Sequence, residues 1–437
     1  MKKMKKIVSA LLAGTMAAMM LVGCGQGSQT AGSDANNAAQ NSGNTEETQL
    51  TGTIEFWNDK LQNTEQSEVD KIFDSIKNLT GITVEPIAYP DTAAYQTAMQ
   101  QSIREDSAPG LFTWWSGPQL ETLVENDLVE DLSDLWDDYV AANGVSNDIK
   151  DALSVDGKVY AVPYSIIYNT MIYNKDLFSQ YNLEVPETFD DFLNVCQTLK
   201  DNGITPILLK NDSWAGFIWF QALIASFEPQ LYQDICDGTK DYTDPDVVKV
   251  MGIWQDMLDK GYFSTPMTIQ DMEKSLASGS AAMMLEPNYE AGMLVKEYGM
   301  VAGENLGTFV LPSMNGDKKI IFYEVSPLCV AKASSQKDLA KEVLKKWFTK
   351  ENQTVLTEVT DNVNTSQVET SNACVNEIIS YTTDTDNYQM MLRYYENTPE
   401  EIRDVALNEL MKFELGDAGA DQVLQTIQDK ADEVFGK

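Results

Sequence analysis

The 437-residue chain contains no histidine, and its 31 lysines and arginines are outnumbered by 67 aspartates and glutamates, which gives a formal net charge of −36. The absence of histidine excludes Ser-His-Asp and Cys-His catalysis, the HExxH zinc site and a histidine pH switch. The shortage of positive charge argues against binding to nucleic acid or anionic lipid headgroups, because a strongly acidic surface repels phosphate. An enzyme made from this chain would depend on carboxylates, tyrosine, lysine or serine.

Apolar and aromatic residues, in contrast, are plentiful. Hydrophobic residues make up 43% of the chain, with 8 tryptophans and 18 tyrosines. This content is enough for a large buried core and separates the chain from disordered acidic tails. At about 100–200 residues per domain, the length predicts two or three domains.

The first 24 residues have the pattern of a bacterial lipoprotein signal. Four lysines within the first six residues precede an apolar stretch over 7–22, which ends in the motif Leu21-Val22-Gly23-Cys24. We interpret residues 1–23 as a secretory signal and Cys24 as the residue that is lipidated after cleavage. An ordinary signal with a chance cysteine is the alternative. Without those four lysines, 27 basic residues remain against 67 acidic ones, and the mature chain carries about −40.

Residues 24–49 are predicted to form a lipid-anchored tether. The segment after Cys24 is almost entirely Gly, Ser, Gln, Asn, Ala and Thr, so it cannot bury apolar surface and should behave as a flexible chain spanning roughly 25 Å.

The remaining cysteines are Cys196, Cys236, Cys329 and Cys374, and no two of them form a CxxC pair. Two disulfides are possible by count. Buried free thiols are the favoured interpretation, because Cys196 and Cys329 lie in segments with apolar periodicity.

Strand and helix patterns alternate along the rest of the chain. Residues 53–57 and 82–86 are rich in β-branched and aromatic residues and predict strands, with a helix over 65–79 between them. Further helices are predicted over 95–104, 118–126, 189–200, 246–260, 339–348, 400–413 and 420–434, and further strands over 110–114, 159–164, 171–173 and 281–285. This alternation predicts an α/β fold with a mostly parallel sheet, in which ligands bind beyond the carboxyl ends of the strands.

Six segments, in order along the chain, resemble motifs of the extracellular solute-binding proteins of family 1, the maltose-binding-like receptors of carbohydrate ABC importers. They are APGLF at 108–112, LETLVENDLVEDL at 120–132, DGKVYAVP at 156–163, IYNKDLF at 172–178, PETFDDF at 186–192 and GSAAM at 279–283. Any one of these motifs is common, but six in order behind a lipoprotein signal are specific.

The resemblance implies a periplasmic-binding-protein-like fold of type II. In that fold each of two lobes is a mixed, mostly parallel sheet flanked by helices, and the ligand binds in the cleft between the lobes. By the family's pattern, lobe one covers 50–162 and 324–362, and lobe two covers 166–320 and 366–437. Hinges are expected near 162–165, 311–323 and 361–365, stretches that lack a long periodic pattern.

Residue chemistry predicts a sugar ligand for this cleft. Sugars present C–H faces that pack on aromatic rings, and hydroxyls that bond to planar acceptors such as Asp, Glu and Asn. The aromatic candidates, at predicted strand ends or loops, are Trp57, Trp114, Trp115, Trp214, Trp219 and Tyr289, and the polar candidates near them are Asn58, Asp59, Asn169, Glu286, Asn288 and Glu324. Arg104 and Lys210 are the basic side chains considered for the cleft.

The predicted function is therefore that of a monomeric substrate-binding lipoprotein on the outer face of the cell membrane. It would capture a carbohydrate, with a neutral oligosaccharide favoured, and deliver it to ABC transporter permease subunits, without a cofactor, metal, catalytic residue or nucleic acid. The main alternative is a binding protein for a peptide or a polyamine, which the acidic charge would suit. A glycoside hydrolase that uses Asp59, Glu286, Glu290 or Glu324, and an adhesin, are less favoured by the pattern.

Overall fold

The computed structural model describes residues 50–437, except 62–63, 90–91, 361–362 and 367. The predicted signal, the predicted lipidation site Cys24 and the predicted tether lie outside the described residues, as does part of the third predicted hinge. Among the described residues, no helix is long and apolar enough to cross a membrane.

The strands are short except for two, β6 and β10. They are β1 Gly52–Asn58, β2 Ile82–Ala88, β3 Leu111–Thr113, β4 Ser154–Val155, β5 Lys158–Val159, β6 Val162–Asn174, β7 Thr205–Leu208, β8 Ala281–Pro287, β9 Leu306–Phe309, β10 Lys319–Val330 and β11 Tyr388–Leu392.

Helices follow most of these strands. They are α1 Gln66–Thr80, α2 Thr92–Ser102, α3 Pro118–Glu125, α4 Ser133–Leu135, α5 Lys175–Gln180, α6 Phe189–Asp201, α7 Ser213–Phe227, α8 Pro229–Cys236, α9 Pro245–Asp259, α10 Ile269–Ala277, α11 Tyr289–Tyr298, α12 Lys337–Trp347, α13 Lys350–Thr360, α14 Ala373–Thr383, α15 Tyr394–Asn397, α16 Glu400–Glu414 and α17 Ala420–Phe435.

Within the described residues, nine strands form one mixed sheet in the order β2-β1-β3-β10-β6-β8-β7, with β11 added on β10 and β9 on β6. The pairs β1–β2, β1–β3, β7–β8 and β10–β11 are parallel. The pairs made by β6 and β10 with each other and with β3, β8 and β9 are antiparallel. The α/β class predicted from the alternation of patterns is confirmed, and the sheet is mixed, as the resemblance implied.

Two hydrophobic cores lie along this sheet. The first packs β1, β2 and β3 against α1, α3 and α12. The second packs the sheet from β6 to β7 against α6, α7, α9, α16 and α17 on one face and against α10 and α11 on the other. The strands β6 and β10 belong to both, because Tyr168 and Tyr323 are buried in the first core whereas Met171 and Phe322 are buried in the second.

Local sequence signals account for many of these elements. In α1 the apolar residues repeat at helical spacing and are buried, and Gly81 ends the helix with a left-handed backbone. Thr188 and Asp191 form a reciprocal capping box at the start of α6, and Asp244 accepts a hydrogen bond from the Asp246 N–H at the start of α9.

Two predictions about local structure are wrong. The strand predicted over 159–164 begins in β5 and continues, from Val162, in β6. The strand predicted over 171–173 is part of the same β6, which runs without a break through its polar residues Ser165 and Asn169. Trp214 and Trp219 do not lie in a loop but in α7. A glycine such as Gly216 is more typical of a loop than of a helix. In the structure it lies within α7, where α16 approaches so closely that a Cβ would meet the backbone of Leu410 and Met411 at 3.0 Å.

The four cysteines of the described part, Cys196, Cys236, Cys329 and Cys374, are buried thiols that form no disulfide with one another. The favoured interpretation, buried thiols rather than two disulfides, is confirmed.

The start of α3, in the first core, lies directly against α15, beside the second core. Gly117 precedes α3 with φ 68° and ψ −144°, and a Cβ on it would lie 2.5 Å from the Glu396 carbonyl oxygen. Both the backbone conformation and the close approach therefore require glycine at this position.

We expect Gly117→Ala to lower the free energy of unfolding by more than Gly157→Ala does. Gly157 also has a positive φ, but a Cβ there would meet nothing within 4 Å, so its substitution should cost only the left-handed strain of about 1–2 kcal/mol. Denaturant unfolding of the two variants measures the difference. Equal losses would mean that α15 moves aside freely and that the contact is not constraining.

Candidate ligand cleft

The candidate site lies at the carboxyl ends of the parallel strands, where the two cores face each other. On the side of the first core it includes the residues after β1 (58–60) and after β3 (114–117). On the side of the second core it includes the residues after β7 (210–214), after β8 (288–290) and after β11 (393–396). We call this region the cleft.

Residues from the two cores line the same spaces. Trp115 and Ser116 share a narrow pocket with Tyr395 and Arg403. On the far side, Tyr289 shares a cavity of about 360 Å³ with Lys60 and Tyr164. The first of these spaces is small, about 10 Å³, and the second is the larger one.

Arg393 is the central cation of the cleft. Its Nε and Nη2 donate to the two carboxylate oxygens of Glu396 at 2.9 and 2.6 Å, and its Nη2 also lies 2.7 Å from Glu324 Oε2. Both Arg393 and Glu396 are about 95% buried, so this is a desolvated, charge-assisted bidentate pair. Because Glu324 lies in the middle of β10 and Arg393 follows β11, the ion triad ties the end of β11 to the middle of β10.

Aromatic rings surround the Arg393 guanidinium. Its centre lies 5.0 Å from the Trp214 ring and 5.6 Å from the Tyr395 ring, and those two rings stack with centroids 4.7 Å apart. The Arg403 guanidinium also contacts Tyr395, with its centre 4.0 Å from the centroid of that ring. Cation–π contacts of this kind hold the rings in place.

Four cationic side chains of the cleft are each already held by a carboxylate. Arg393 contacts Glu324 and Glu396, and Arg403 contacts Glu400 at 3.4 Å and Asp404 at 3.0 Å. The other two are lysines: Lys60 lies 3.5 Å from Asp59, and Lys210 lies 3.1 Å from Asp212. The charges of these four cations are thus balanced or exceeded before any ligand binds.

Buried carboxyl groups lie behind the cleft, at the junction of β8 and α11. Burial raises the pKa of Glu286 to about 7, although the positive charge of Lys210 lowers it. Burial raises the pKa of Glu290 to about 8, and a hydrogen bond with Glu273 adds to this increase. Glu286 Oε2 is buried and has no hydrogen-bond partner among the described residues. Within the same residues, no group of three or more histidine, cysteine, aspartate or glutamate side chains is arranged to hold a metal ion.

Several of the residues predicted for ligand binding come together at the cleft. Trp115 is half-buried, lies 5.0 Å from Trp114 and has the Lys60 ammonium 5.7 Å from its ring. Trp214 and Glu324 both contact Arg393. The Tyr289 side chain is 38% exposed in the opposite opening. Trp57, half-buried, packs against Tyr89 at 5.5 Å on the side of the first core.

Three predicted polar residues are engaged in holding the fold. Asn58 Oδ1 accepts hydrogen bonds from the N–H groups of Lys60 and Leu61, which shapes the turn after β1. Asp59 accepts a hydrogen bond of 3.0 Å from the Thr113 hydroxyl. Asn288 extends the pairing of β8, because its Oδ1 accepts from the Tyr168 N–H at 2.8 Å and its own N–H donates to the Tyr168 carbonyl.

Three others lie away from the cleft surface. Trp219 is 2% exposed and packs edge-on against Phe263 in the second core. Trp114 is 9% exposed, packs against Phe112, and donates from Nε1 to the Gln119 carbonyl at 3.3 Å. Asn169 faces a closed cavity between the sheet and α7.

The sequence interpretation missed Arg393, Tyr395, Arg403 and Ser116. A signal for the first three was present: the whole chain has three arginines, and Arg393-Tyr394-Tyr395 places one of them next to two tyrosines. Arg104, the arginine that was considered, is exposed and contacts the side chain of Asn126. Ser116 gave no signal, and its buried hydroxyl has no hydrogen-bond partner among the described residues.

Comparison with known proteins gives a family model described as bacterial extracellular solute-binding protein, which matches residues 71–374. The diacetylchitobiose binding protein DasA of Streptomyces coelicolor is 25% identical over 258 residues, which are 57% of this chain and 59% of that protein. The glucose-binding protein GlcS of Saccharolobus solfataricus is 22% identical over 196 residues, 42% of this chain and 35% of that protein. The chain thus matches less than two thirds of the length of these curated relatives.

Solved structures share the fold. A chitin oligosaccharide binding protein superposes with a TM-score of 0.73 at 18% identity, over 87% of this chain and 98% of that one. The bacterial solute receptor AcbH, described as having an exclusive preference for β-D-galactopyranose, superposes with a TM-score of 0.73 at 18% identity, over 88% and 99%. The two-lobe architecture predicted from the six motifs is therefore confirmed.

The buried carboxyls predict a pH dependence of stability. Glu286 and Glu290 have folded-state pKa values above that of an exposed glutamate, about 4.3. The folded protein therefore retains protons that the unfolded chain releases, and their contribution to stability is full below about pH 4 and is lost as the pH rises through about 7 to 8. Glu290→Gln keeps the shape of the side chain and cannot ionise, so it should raise the melting temperature at pH 8 more than at pH 5.

Glu297→Gln is the matched control, since Glu297 lies on the exposed side of the same helix, α11. Thermal unfolding between pH 4.5 and 8.5 measures all three proteins. A gain from Glu290→Gln that is the same at every pH would contradict the assignment of a buried, titrating carboxyl.

Proposed function

Because the chain belongs to the bacterial extracellular solute-binding proteins, we propose that it is the substrate-binding component of an ABC importer, and that it captures an extracellular carbohydrate. The observation that carries the proposal is the set of aromatic rings at the cleft. Trp115 on one side shares a pocket with Tyr395 on the other, and Tyr395 stacks on Trp214. The half-buried Trp115 ring suits the C–H faces of a sugar, whereas the Tyr395 ring already lies between Trp214 and the Arg403 guanidinium. The carboxylates beside these rings suit the hydroxyls of the sugar.

We propose a neutral ligand, an oligosaccharide rather than an acidic sugar. A uronate, sulfate or phosphate group needs a cation that is free to bind it. In the cleft Arg393, Arg403 and Lys210 each already contact a carboxylate, so an anionic group that binds at any of these three cations would have to compete with an internal ion pair. Sugar hydroxyls need no free cation, because they can donate hydrogen bonds to carboxylates that remain paired with their cations.

The binding cycle we propose is hinge closure. The two cores share β6 and β10, so small backbone rotations in these strands would move one side of the cleft toward the other. A ligand that contacts both sides binds the closed state better than the open state, and this differential affinity shifts the population toward closure. The lobe boundaries of 50–162 with 324–362, and 166–320 with 366–437, belong to this proposal. No bond of the ligand is broken in the cycle.

The proposal also includes delivery of the solute to the membrane permease, action as a monomer, and attachment to the outer face of the cell membrane through Cys24. The support for the anchor is the signal motif alone, which lies outside the described residues. The candidate ligand-binding set that we retain is Trp57, Asp59, Trp115, Tyr289, Trp214 and Glu324, with Ser116, Arg393, Tyr395 and Arg403 added.

A cationic solute such as a polyamine is the second candidate. Its support is the excess of carboxylates over cations, including the buried Glu286 and Glu290 behind the cleft. Aromatic rings can bind the C–H face of a sugar or, by cation–π contact, an ammonium group, so the choice between the two candidates rests on the titration below.

Isothermal titration of the chain beginning at Gly25 against neutral mono- and oligosaccharides, uronates and polyamines tests the choice. We expect saturable 1:1 binding of a neutral sugar, little binding of its uronate counterpart, and chromatography that recovers the sugar intact. Binding of polyamines alone would favour the second candidate, and cleavage of the sugar would overturn the proposal.

Substitution of the rings then tests the site. Trp115→Ala and Trp214→Ala should each weaken binding of that sugar by about 1–3 kcal/mol, because each removes a packing surface for the ligand. Tyr388→Ala is the control, since Tyr388 lines a separate cavity of about 1080 Å³ with Phe227 and Lys249. Titration should show that the control retains its affinity; loss of binding in the control alone would place the ligand in that other cavity.

A further inference from the structure

A small closed cavity lies behind β6 at the position where this strand passes from the first core to the second. Its volume is about 10 Å³, which is roughly the space that one water molecule needs. Most of its wall is apolar and comes from α7, β8, β10 and the segment after β9, but two amide side chains, Asn169 of β6 and Gln221 of α7, also line it.

Both amides are buried and have hydrogen-bonding groups left over. Asn169 is 6% exposed and Gln221 is 0% exposed. Asn169 Oδ1, Asn169 Nδ2 and Gln221 Nε2 have no hydrogen-bond partner among the described residues. A buried amide without partners destabilises a fold, and a water molecule that makes about three hydrogen bonds is the usual solution where the space is polar and large enough.

The remaining atom of Gln221 connects this cavity to the cleft. Gln221 Oε1 accepts a hydrogen bond of 2.8 Å from the backbone N–H of Tyr394, which lies between Arg393 and Tyr395. On the other side of the cavity, Asn169 lies opposite Phe322 of β10 and Pro287 of β8. One amide, Asn169, thus belongs to the crossing strand β6. The other, Gln221, holds the segment that carries the central cation of the cleft.

We propose that this cavity is a binding site for one ordered water molecule. The water accepts hydrogen bonds from Asn169 Nδ2 and Gln221 Nε2 and donates one to Asn169 Oδ1, which satisfies all three free atoms. It thereby joins β6 to α7, and through Gln221 it supports the backbone that positions Arg393. The water site does not depend on which solute the protein binds, so it is tested independently of the proposed function.

A crystal structure of the purified protein at a resolution that shows ordered water tests the proposal directly. We expect a single density peak in the cavity within hydrogen-bonding distance of both amides. A cavity without density, or one reached by an atom of the solute in a complex, would overturn it.

Asn169→Leu provides an independent test in solution. If the water is present, leucine displaces it and leaves Gln221 Nε2 without a partner, so the melting temperature should fall by several degrees. If the cavity is dry, leucine removes two unpartnered atoms and fills the space, so the melting temperature should rise, which would contradict the proposal.

Asn174→Leu, on the same strand, shows how far the melting temperature falls when direct hydrogen bonds of an asparagine are lost. Asn174 Nδ2 donates to the Leu276 carbonyl, and its Oδ1 accepts from the Leu177 N–H, so this variant should be destabilised in either case.

Discussion

The antiparallel pairing of β6 with β10 is the constraint on which the rest of the structure depends. The pairing runs from Phe322 opposite Asn169 to Leu328 opposite Val162, with an irregularity at Ser326 and Pro327. One end of the pair is buried in the first core and the other in the second. Because the two strands stay paired across both cores, the cores are held in a fixed order along the sheet, yet only a few residues of each strand lie between them. In the closure that we propose, motion between the cores is bending about this pair, together with any other crossing of the chain.

This constraint also explains where the charged groups of the cleft are found. Glu324 lies in the middle of β10, opposite Ile167 of β6, and β11 pairs in parallel with the first half of β10. Arg393, directly after β11, therefore emerges beside Glu324 and binds it together with Glu396. A buried ion pair is weak evidence for stability, but removal of one partner leaves an uncompensated charge. The triad thus specifies one arrangement of the Trp214 and Tyr395 rings.

Sequence patterns predicted the elements that local chemistry determines. They placed a helix over 65–79, which is α1, and a strand over 281–285, which lies within the fully buried β8. They did not predict the continuity of β6, because its polar residues are stabilised by partners more than a hundred residues away. The helix α7 is apolar on nearly all sides, so it lacked the amphipathic period that identifies a surface helix. The role of Arg393 depends on a carboxylate 69 residues earlier, a contact that only the fold creates.

The central claim is that a sugar binds between the two cores at the carboxyl ends of the strands, and the crystal structure of a complex with a sugar that binds in solution tests it most directly. The account predicts the sugar ring against Trp115 on one side and Trp214 on the other, with the ion pairs of Arg393 intact. A sugar seated in the cavity lined by Phe227 and Tyr388, or held by residues of one core alone, would contradict it.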